Sequence, residues 1–500
     1  MANKELTIVS VTSELDPYFK IGGLGDVARA LPKSLQRLKQ HVSIFTPYYK
    51  LRLDEKKYPV KKIIDSASIV IDDSFLIKAS LYQAELAHKL PVYFVSIDRF
   101  FGRSKKVYYG SSTDSIRYFA FNIAVLEFIR LLKLQPDIIQ CHDWPAGLIP
   151  ELLKKRYKND PLLKSAASVF TIHNLSYQLG QAWWSIPVTK RDNGRTPLPL
   201  FSNTAGVKRI NFTKRAILYA DAINAVSEAY REEIMQPHFG QDLHRILRNR
   251  ENKLYGVVNG IDYHEFNPAN DPNLKTQYNY TTIEKKLENK RALQKRCGLK
   301  ISNDTPIMVM SSRIIEQKGF DLFLPLLPYL LHKDVEIIIL GEGDKKYTEH
   351  FQALAKANPT QLSLFSFDKY SALETLMYAG GDILLLPSRF EPCGTNQLKA
   401  LRYGCVPLVR EVGGLGETVT NYDPKTNPDG IGFVFNAYSS HTLMFTIARA
   451  LETYKYPDIW RQLMVRGMKV SFSWDLPARK YLKLFHLALK FKQKETTNGN

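Results

Sequence analysis

The sequence predicts an α/β fold made of two doubly wound parallel sheets. Along the 500 residues, short apolar runs typical of buried parallel strands alternate with segments that carry apolar residues at helical spacing. The runs form two series, and a polar stretch at about residues 259–304 lies between them. A chain of this length is also too long to fold around a single core. We therefore expect two Rossmann-like domains, the first over residues 1–262 and the second from residue 263 onward.

Each apolar run is followed by polar punctuation and then by a helical segment. The first series comprises residues 6–11, 41–45, 92–97, 137–141, 168–172, 222–226 and 254–258. The second comprises residues 306–310, 335–340, 382–386 and 406–409. Ligands of open parallel sheets bind beyond the carboxyl ends of the strands, so the side chains directly after each run are the candidate functional groups.

Composition and charge restrict the kinds of protein that this sequence can encode. Apolar residues make up 44% and charged residues 24% of the sequence, as in globular proteins. No apolar run approaches the length of a membrane span, and no signal peptide is indicated. The net charge is +20, but the basic residues are dispersed, which favours a solvated surface over a nucleic-acid site. Four scattered cysteines lack metal-ligand spacing and indicate a reducing cytoplasm.

The first candidate site is the stretch K-I-G-G-L-G-D-V at residues 20–27. It lies between the first apolar run and a segment with apolar residues at positions 24, 27, 31, 35 and 38. Gly22 and Gly23 let the backbone approach a ligand, and N–H groups at a helix start attract anions. Lys20 adds a full positive charge beside them. Taken alone, the glycine pair favours an ordinary tight strand-to-helix turn.

Two further strand ends of the first series carry reactive side chains. His142 and Asp143 follow the run at 137–141, and His173 and Asn174 follow the run at 168–172. Asn259 follows the last run of this series. A lone histidine at a strand end is usually structural, but the repetition at one edge of the sheet predicts a polar site there.

The second series supplies the groups that suit a diphosphate. Arg313 and Lys318 are five residues apart across one strand-to-helix turn, and they can converge on one diphosphate. Glu391 stands before Pro392, where it can accept hydrogen bonds from sugar hydroxyls. Backbone N–H groups around Gly394 precede another helix and can hold phosphate or hydroxyl oxygens. These cations and Lys20 can neutralise a diphosphate, so no metal or other cofactor is expected.

Taken together, these motifs resemble the bacterial glycogen synthase and plant starch synthase family. The matching segments occur in the family's order and span nearly the whole chain. They are residues 20–27, 142–144, 171–178, 258–262, 312–319 and 388–394. Lys-x-Gly-Gly near the start and Glu-Pro-Cys-Gly at residues 391–394 are the two most specific among them.

The resemblance implies a GT-B glycosyltransferase fold, in which two Rossmann-like domains face each other across a deep cleft. It implies a final helix at residues 478–500 that returns to the first domain, so that the second domain ends at residue 477. It also implies retaining transfer of glucose from ADP-glucose to the non-reducing end of an α-1,4-glucan, such as glycogen. ADP-glucose and the glucan are then the expected partners, with no nucleic acid and no membrane.

By motif position, the resemblance assigns roles to individual residues. Arg313 and Lys318 are expected to bind the diphosphate, Glu391 to hold glucose hydroxyls, and His173 to lie beside the glucose; these four are the expected catalytic residues. The residues expected to bind substrate are Lys20, Gly22, Gly23, Asp26, Asp143, Asn174, Asn259, Cys393, Gly394 and Thr395.

The chain also departs from the family pattern. Pro145 stands where the family usually has a histidine, Thr395 replaces a leucine, and residues 182–208 match poorly. Two alternatives remain open at this point: a related transferase that uses UDP- or GDP-sugars, and a glucan-binding protein that has lost catalysis. The sequence leaves the oligomeric state undecided.

Overall fold

The chain folds into two compact units. The computed structural model describes residues 5–370 and 372–498. The first unit comprises Met1–Asn259 and Trp474–Asn500, and the second comprises Gly260–Ser473. The divisions thus fall after residues 259 and 473, where the sequence analysis placed them after 262 and 477.

A nine-stranded sheet forms the centre of the first unit. Its strands are β1 (Thr7–Val11), β2 (His41–Pro47), β3 (Lys61–Asp72), β4 (Phe75–Leu86), β5 (Leu90–Ser96), β6 (Ile138–His142), β7 (Ala167–Ile172), β8 (Ala222–Ala225) and β9 (Leu254–Gly256). Their order is β3-β4-β5-β2-β1-β6-β7-β8-β9, with parallel pairing from β5 to β9. The order reverses between β1 and β6, and that reversal is the switch point where such sheets bind ligands.

Strands β3 and β4 were not predicted. They pair antiparallel with each other, and β4 pairs antiparallel with β5, so they extend one edge of the sheet. In β3 the buried Ile69 and Ile71 flank an exposed Val70. A strand that faces water on one side alternates in this way and lacks the continuous apolar run by which the other strands were identified.

Helices cover the first sheet. They are α1 (Gly23–Arg37), α2 (Ser112–Leu131), α3 (Ile149–Lys155), α4 (Thr204–Val207), α5 (Phe212–Tyr219), α6 (Glu228–Ile234) and α7 (His244–Arg248). Short 3-10 helices occur at Ala87–Lys89, Trp144–Ala146, Trp183–Ser185, Val188–Lys190 and Glu251–Lys253, and a π-helical turn occurs at Asp98–Gly102. Helix α1 begins within the glycine-rich loop, as its apolar spacing predicted, and buries Leu24, Val27, Leu31 and Leu35.

The second unit contains a six-stranded, wholly parallel sheet. Its strands are β10 (Ile307–Ser311), β11 (Glu336–Leu340), β12 (Leu362–Phe365), β13 (Ile383–Leu386), β14 (Val406–Arg410) and β15 (Phe433–Phe435). They lie in the order β12-β11-β10-β13-β14-β15, which is the 3-2-1-4-5-6 order of dinucleotide-binding sheets. Strands β12 and β15 were not predicted; they lie at the two edges of this sheet and are only partly buried.

Helices also pack against the second sheet. They are α8 (Lys286–Cys297), α9 (Phe320–Phe323), α10 (Leu327–Leu331), α11 (Lys345–Ala357), α12 (Phe367–Tyr370), α13 (Leu373–Gly380), α14 (Asn396–Arg402), α15 (Gly413–Thr418), α16 (Ser440–Tyr454) and α17 (Pro457–Lys469). Short 3-10 helices occur at Ile283–Lys285, Glu316–Lys318 and Leu324–Leu326. The two parallel sheets with their helices confirm the predicted fold class.

The last helix, α18 (Asp475–Asn498), belongs to the first unit. Its Tyr481 hydroxyl accepts a hydrogen bond from Asn224 of β8 at 2.9 Å. Near its end, the Glu495 carboxylate pairs with Lys154 and with Lys253, both at 2.5 Å. The two lysines lower the pKa of Glu495 to about 2 against the opposing effect of burial. Helix α18 is therefore held at one end by a carboxylate shared between two cations.

We expect Glu495→Gln to lower the free energy of unfolding by about 0.5–1 kcal/mol at pH 7. The carboxylate is 41% exposed, so solvent screens both pairs and keeps the loss small. Because its folded pKa is depressed, this stabilisation is present above the unfolded pKa of 4.5 and is lost as the pH falls toward 2. Urea unfolding at several pH values measures it.

Glu228→Gln is the matched control for this prediction, because Glu228 pairs with a single lysine of the same helix, Lys480. We expect Glu228→Gln to lower the free energy of unfolding by less than Glu495→Gln does. Equal losses for the two variants, or a Glu495→Gln loss that persists unchanged at pH 2, would contradict the role of the shared carboxylate.

Candidate active site

The turn after β10 packs against the loop after β13 at the switch point of the second sheet. Gly319 has φ +77°, and a Cβ at this residue would lie 2.0 Å from the carbonyl oxygen of Pro387. The backbone N–H of Arg389 donates to the carbonyl of Gln317 at 2.8 Å. Both the left-handed conformation and the close approach require glycine. The two loops are therefore fixed to each other by their backbones.

This backbone contact brings together two of the predicted catalytic side chains. The Lys318 ammonium lies 2.5 Å from a carboxylate oxygen of Glu391. The Ser388 hydroxyl donates to the same oxygen at 3.2 Å. Glu391 is only 9% exposed, and these two partners offset the cost of burying its carboxylate. Arg313 is exposed in the same turn, between β10 and Lys318.

Residues 393–395 lead from Glu391 into helix α14. A Cβ on Gly414 would lie 2.2 Å from the carbonyl oxygen of Cys393, so α15 packs directly on this loop. Gly394 has φ +70°, and the Gln397 amide donates to the carbonyls of residues 393 and 394 at 3.1 Å. Thr395 directly precedes the first residue of α14. The carbonyl groups of the loop are thus satisfied from within the unit.

In the first unit, the loop after β1 is organised by Glu14, which the sequence analysis did not single out. One carboxylate oxygen of Glu14 accepts the N–H groups of Ile21 and Gly22, at 2.8 and 2.9 Å. The other accepts the Tyr108 hydroxyl at 2.9 Å. Two N–H groups expected to be open to an anion therefore already bind a carboxylate. The only sequence signal was an acid placed directly after a buried strand.

Lys20 and Asp26 also form a pair. The ammonium of Lys20 donates to Asp26 at 2.6 Å, on an exposed part of the loop. A Cβ at Gly22 or at Gly23 would meet no atom within 4 Å. Packing inside the unit therefore does not explain these two glycines, whereas a close ligand would. Of the residues predicted in this loop, the structure brings Lys20 and Asp26 into direct contact.

Asp143 connects the ends of β6 and β7. Its carboxylate accepts the backbone N–H groups of His173 and Asn174, at 2.7 and 3.4 Å. Its φ of +53° is unusual for a residue with a side chain, and such strain is concentrated at functional sites. Burial raises the pKa of Asp143 from 3.8 to about 7, and the nearby Glu14 adds to the rise. Asp143 therefore joins the ends of these two strands.

A second connection between the same strand ends uses two neutral imidazoles. His142 Nδ1 lies 2.9 Å from His173 Nε2, and His142 Nε2 lies 3.1 Å from the Ser10 hydroxyl. Burial lowers the pKa of His142 to about 3 and that of His173 well below its ordinary value. One ring must donate and the other accept, so His142 controls which tautomer His173 adopts.

Asn259 is the last residue of the first segment of the first unit, and it is buried. Its Oδ1 has no hydrogen-bond partner among the described residues. Within the described part of the chain, no group of three or more His, Cys, Asp or Glu side chains is arranged to hold a metal ion. All four cysteines are buried, and none of them forms a disulfide. None of the helices in residues 5–370 and 372–498 is both long and apolar enough to cross a membrane.

Comparison with known proteins agrees with this arrangement. Residues 7–249 match the model of the starch synthase catalytic domain, and residues 294–463 match that of glycosyl transferases group 1. A glycogen synthase of Pseudothermotoga lettingae is 38% identical, with 98% of this chain and all of the relative covered. The chain belongs to the glycogen synthase and starch synthase family. This family member is therefore a glycosyltransferase.

Two further relatives support the assignment. A glycogen synthase of Clostridium perfringens is 39% identical to this family member over 97% of the chain and 99% of the relative. The solved catalytic domain of starch synthase IV from Arabidopsis thaliana, bound to ADP and acarbose, is 30% identical. It covers 97% of this chain and all of its own, with a TM-score of 0.86. The similarity extends through both units.

Substituting Gly319 tests the backbone contact at the switch point. We expect Gly319→Ala to destabilise the second unit by roughly 2–5 kcal/mol, which combines about 1–2 kcal/mol for the left-handed backbone with about 1–3 kcal/mol for overpacking. Gly298→Ala is the control, because Gly298 has φ +71° but open space around its Cα. Gly298→Ala should lower the free energy of unfolding only by the contribution of the left-handed backbone, about 1–2 kcal/mol. Equal losses in urea unfolding would show that the approach of Pro387 carries no cost.

The raised pKa of Asp143 predicts a pH-dependent stability. The folded chain binds this proton more tightly than the unfolded chain, so the carboxyl's contribution is fully favourable below pH 3.8 and is lost as the pH rises toward 7. We expect Asp143→Asn to be more stable than the parent chain at pH 8, with an advantage roughly 2 kcal/mol larger than at pH 5.

Urea unfolding at the two pH values measures this difference. Asp65→Asn is the control, because Lys62 lowers the pKa of Asp65 and its substitution should bring no gain at pH 8. A pH-independent effect of Asp143→Asn would contradict the raised pKa.

Proposed function

We propose that this protein transfers glucose from ADP-glucose to the non-reducing end of an α-1,4-glucan, with retention of configuration. The observation that carries the proposal is the pair formed by Lys318 and Glu391 beyond β10 and β13. It combines a cation suited to a phosphate with a buried carboxylate suited to sugar hydroxyls. The glycogen synthase names of the relatives, and the ADP and acarbose bound to the starch synthase, support the choice of substrates.

Charge development explains why a cation is needed at this position. Breaking the bond between glucose and ADP leaves negative charge on the departing phosphate and positive charge on the anomeric carbon. A preorganised cation on that phosphate stabilises the transition state more than the ground state. Lys318 can serve this role because the backbone around Gly319 fixes its turn. Arg313, exposed in the same turn, can add a planar fork of donors to the diphosphate.

Glu391 is placed to hold Lys318 and to accept from a sugar. Two of its partners, Lys318 and Ser388, bind one carboxylate oxygen. The other oxygen remains the candidate acceptor for a glucose hydroxyl. When the diphosphate arrives, Lys318 must divide its three donors between carboxylate and phosphate.

In the first unit, the strand ends offer groups for the sugar. Burial and the neighbouring His142 lower the pKa of His173, so its neutral ring can donate or accept one hydrogen bond without bringing a charge beside the anomeric carbon. Asp143 fixes the backbone of His173 and Asn174. Lys20 pairs with Asp26 in the first turn of α1, and the exposed Lys20 ammonium can turn toward an anion.

Transfer of labelled glucose to glycogen tests the proposal. ADP-, UDP- and GDP-glucose should be compared at equal concentration, with enzymatic analysis of the product linkage. We expect transfer from ADP-glucose, in α-1,4 linkage, that persists in EDTA because lysine and arginine neutralise the diphosphate. Preference for UDP- or GDP-glucose would refute the donor assignment. Glycogen binding with no transfer from any donor would refute the enzymatic proposal.

We expect Lys318→Ala to lower kcat by about 10²–10³, the usual cost of removing one preorganised donor from a transition state. Lys356→Ala removes an exposed lysine of α11 and should leave kcat unchanged. Steady-state kinetics with ADP-glucose measures both, with circular dichroism as the check on folding. If kcat stays within about threefold while the donor KM rises, Lys318 binds ground and transition states equally.

A double variant tests whether Lys318 and Glu391 act together. Each single substitution leaves the other side chain buried without its partner. The double variant Lys318→Ala with Glu391→Gln should therefore lose less activation free energy, calculated from kcat, than the sum of the two single variants. Strict additivity would show that the pair seen here has no part in the reaction.

A further inference from the structure

Trp184 is the exposed member of an ordered aromatic cluster. All five tryptophans lie in the described part of the chain, and four of them, Trp144, Trp183, Trp460 and Trp474, are buried. Trp184 is 58% exposed. It belongs to the poorly matching stretch at 182–208, which the proposed reaction does not otherwise use. A large exposed aromatic surface of this kind indicates a binding site when it is held in a fixed position.

The neighbours of Trp184 hold its ring in place. The guanidinium of Arg191 lies over the rings of both Trp183 and Trp184, at 5.2 and 5.1 Å. The indole N–H of Trp184 donates to the Gln241 side chain, and that of Trp183 donates to Asp242, both at 3.4 Å. Arg191 also lies 3.6 Å from Asp242. An exposed indole is thus bordered by an amide and a carboxylate.

The polar border is itself built on a strained backbone. Gln241 and Asp242 are consecutive residues with φ +47° and +69°, which side-chain-bearing residues rarely adopt. The buried Gln178 donates to the carbonyl of Gln241 at 2.8 Å and helps to hold this conformation. Strained residues with fixed side chains are concentrated at ligand sites. The strain is a second observation, independent of the exposure of Trp184.

The aromatic segment is also anchored to the core. Asp192, next to Arg191, forms two hydrogen bonds with the buried Arg215, at 2.7 and 2.9 Å. Arg215 in turn pairs with the buried Glu151 of α3 at 2.8 Å. The cluster around Trp184 is therefore a rigid surface feature, which lowers the entropic cost of binding a ligand there.

We propose that Trp184, Gln241 and Asp242 form a second binding site for the α-1,4-glucan chain. The inference rests on the proposed function and extends it to the recognition of a long acceptor. A glucose ring presents a C–H face that packs on an indole and a rim of hydroxyls that bond to amide and carboxylate groups. The Asp242 carboxylate, 46% exposed, disfavours a phosphate-bearing ligand such as nucleic acid.

The position of the cluster along the chain supports this occupant. The loop that begins at His173 and Asn174, after β7, continues through the exposed Tyr177 and the buried Gln178 to Trp184. Gln178 connects it directly to Gln241. His173, Asn174 and the two tryptophans therefore lie on one continuous segment of the first unit. A polymer held at Trp184 stays tethered while successive ends are extended.

Fluorescence quenching of the unmodified protein tests the site without any variant. Trp184 supplies nearly all of the quencher-accessible indole, so acrylamide quenching reports on it. Glycogen should reduce the quenching constant, whereas dextran, an α-1,6-glucan, should not. Equal quenching with and without glycogen, or equal protection by dextran, would overturn the proposal. Protection by a single-stranded oligonucleotide instead of glycogen would assign the surface to nucleic acid.

Affinity electrophoresis in gels that contain glycogen gives the second measurement. Trp184→Ala should raise the Kd for glycogen by about 3- to 12-fold, the size of one aromatic contact, and Trp184→Phe should recover part of it. Phe445→Ala is the matched control, because Phe445 of α16 is an aromatic residue that is even more exposed, at 68%. Equal mobility of Trp184→Ala and the control would overturn the site.

Neither experiment requires the donor, so the two proposals can fail separately. Glycogen that protects Trp184 without glucose transfer from any donor would refute the function and leave the site. Normal glucose transfer, with no protection of Trp184 by glycogen, would refute the second site and leave the proposed function.

Discussion

The carbonyl oxygen of Pro387 occupies the space that a side chain at residue 319 would fill. No other residue than glycine can accept both this approach and the left-handed backbone there. The contact holds the turn after β10 against the loop after β13. Lys318 and Glu391 then face each other without having to search for a conformation. Removing two charges from water costs free energy, which a buried pair regains only if its geometry is good. The backbone contact stabilises the pair because it fixes that geometry.

In the first unit, the loop at the switch point is held in place by a different kind of contact. There the loop after β1 is held by a side chain, Glu14, whose carboxylate binds two backbone N–H groups and a tyrosine hydroxyl. A carboxylate in this position makes the surroundings of Asp143 more negative and contributes to its raised pKa. The two switch points therefore differ in charge: a cation is presented at one, and carboxyl groups are gathered at the other.

The sequence was most informative where both faces of a strand are buried, since burial on both sides gives a continuous apolar run. It failed for the half-exposed β3 and β4 and for β12 and β15, the partly buried edge strands of the second sheet. Candidate residues at strand ends could be named because parallel topology brings those ends to one edge. Their partners could not, because the contact of Glu14 with Gly22 or of His142 with His173 depends on how separate loops approach in space. The roles of these residues remain predictions, whereas the family and the fold class are confirmed.

Helix α18 makes the first unit discontinuous along the chain. A ribosome must complete all of the second unit before it releases the segment that carries Tyr481 and Glu495. During synthesis, the surface of β7 and β8 that α18 covers therefore stays open to water while more than two hundred residues are added. The apolar surface left open in that interval is a natural target for chaperones, and its closure links the maturation of the first unit to completion of the polypeptide.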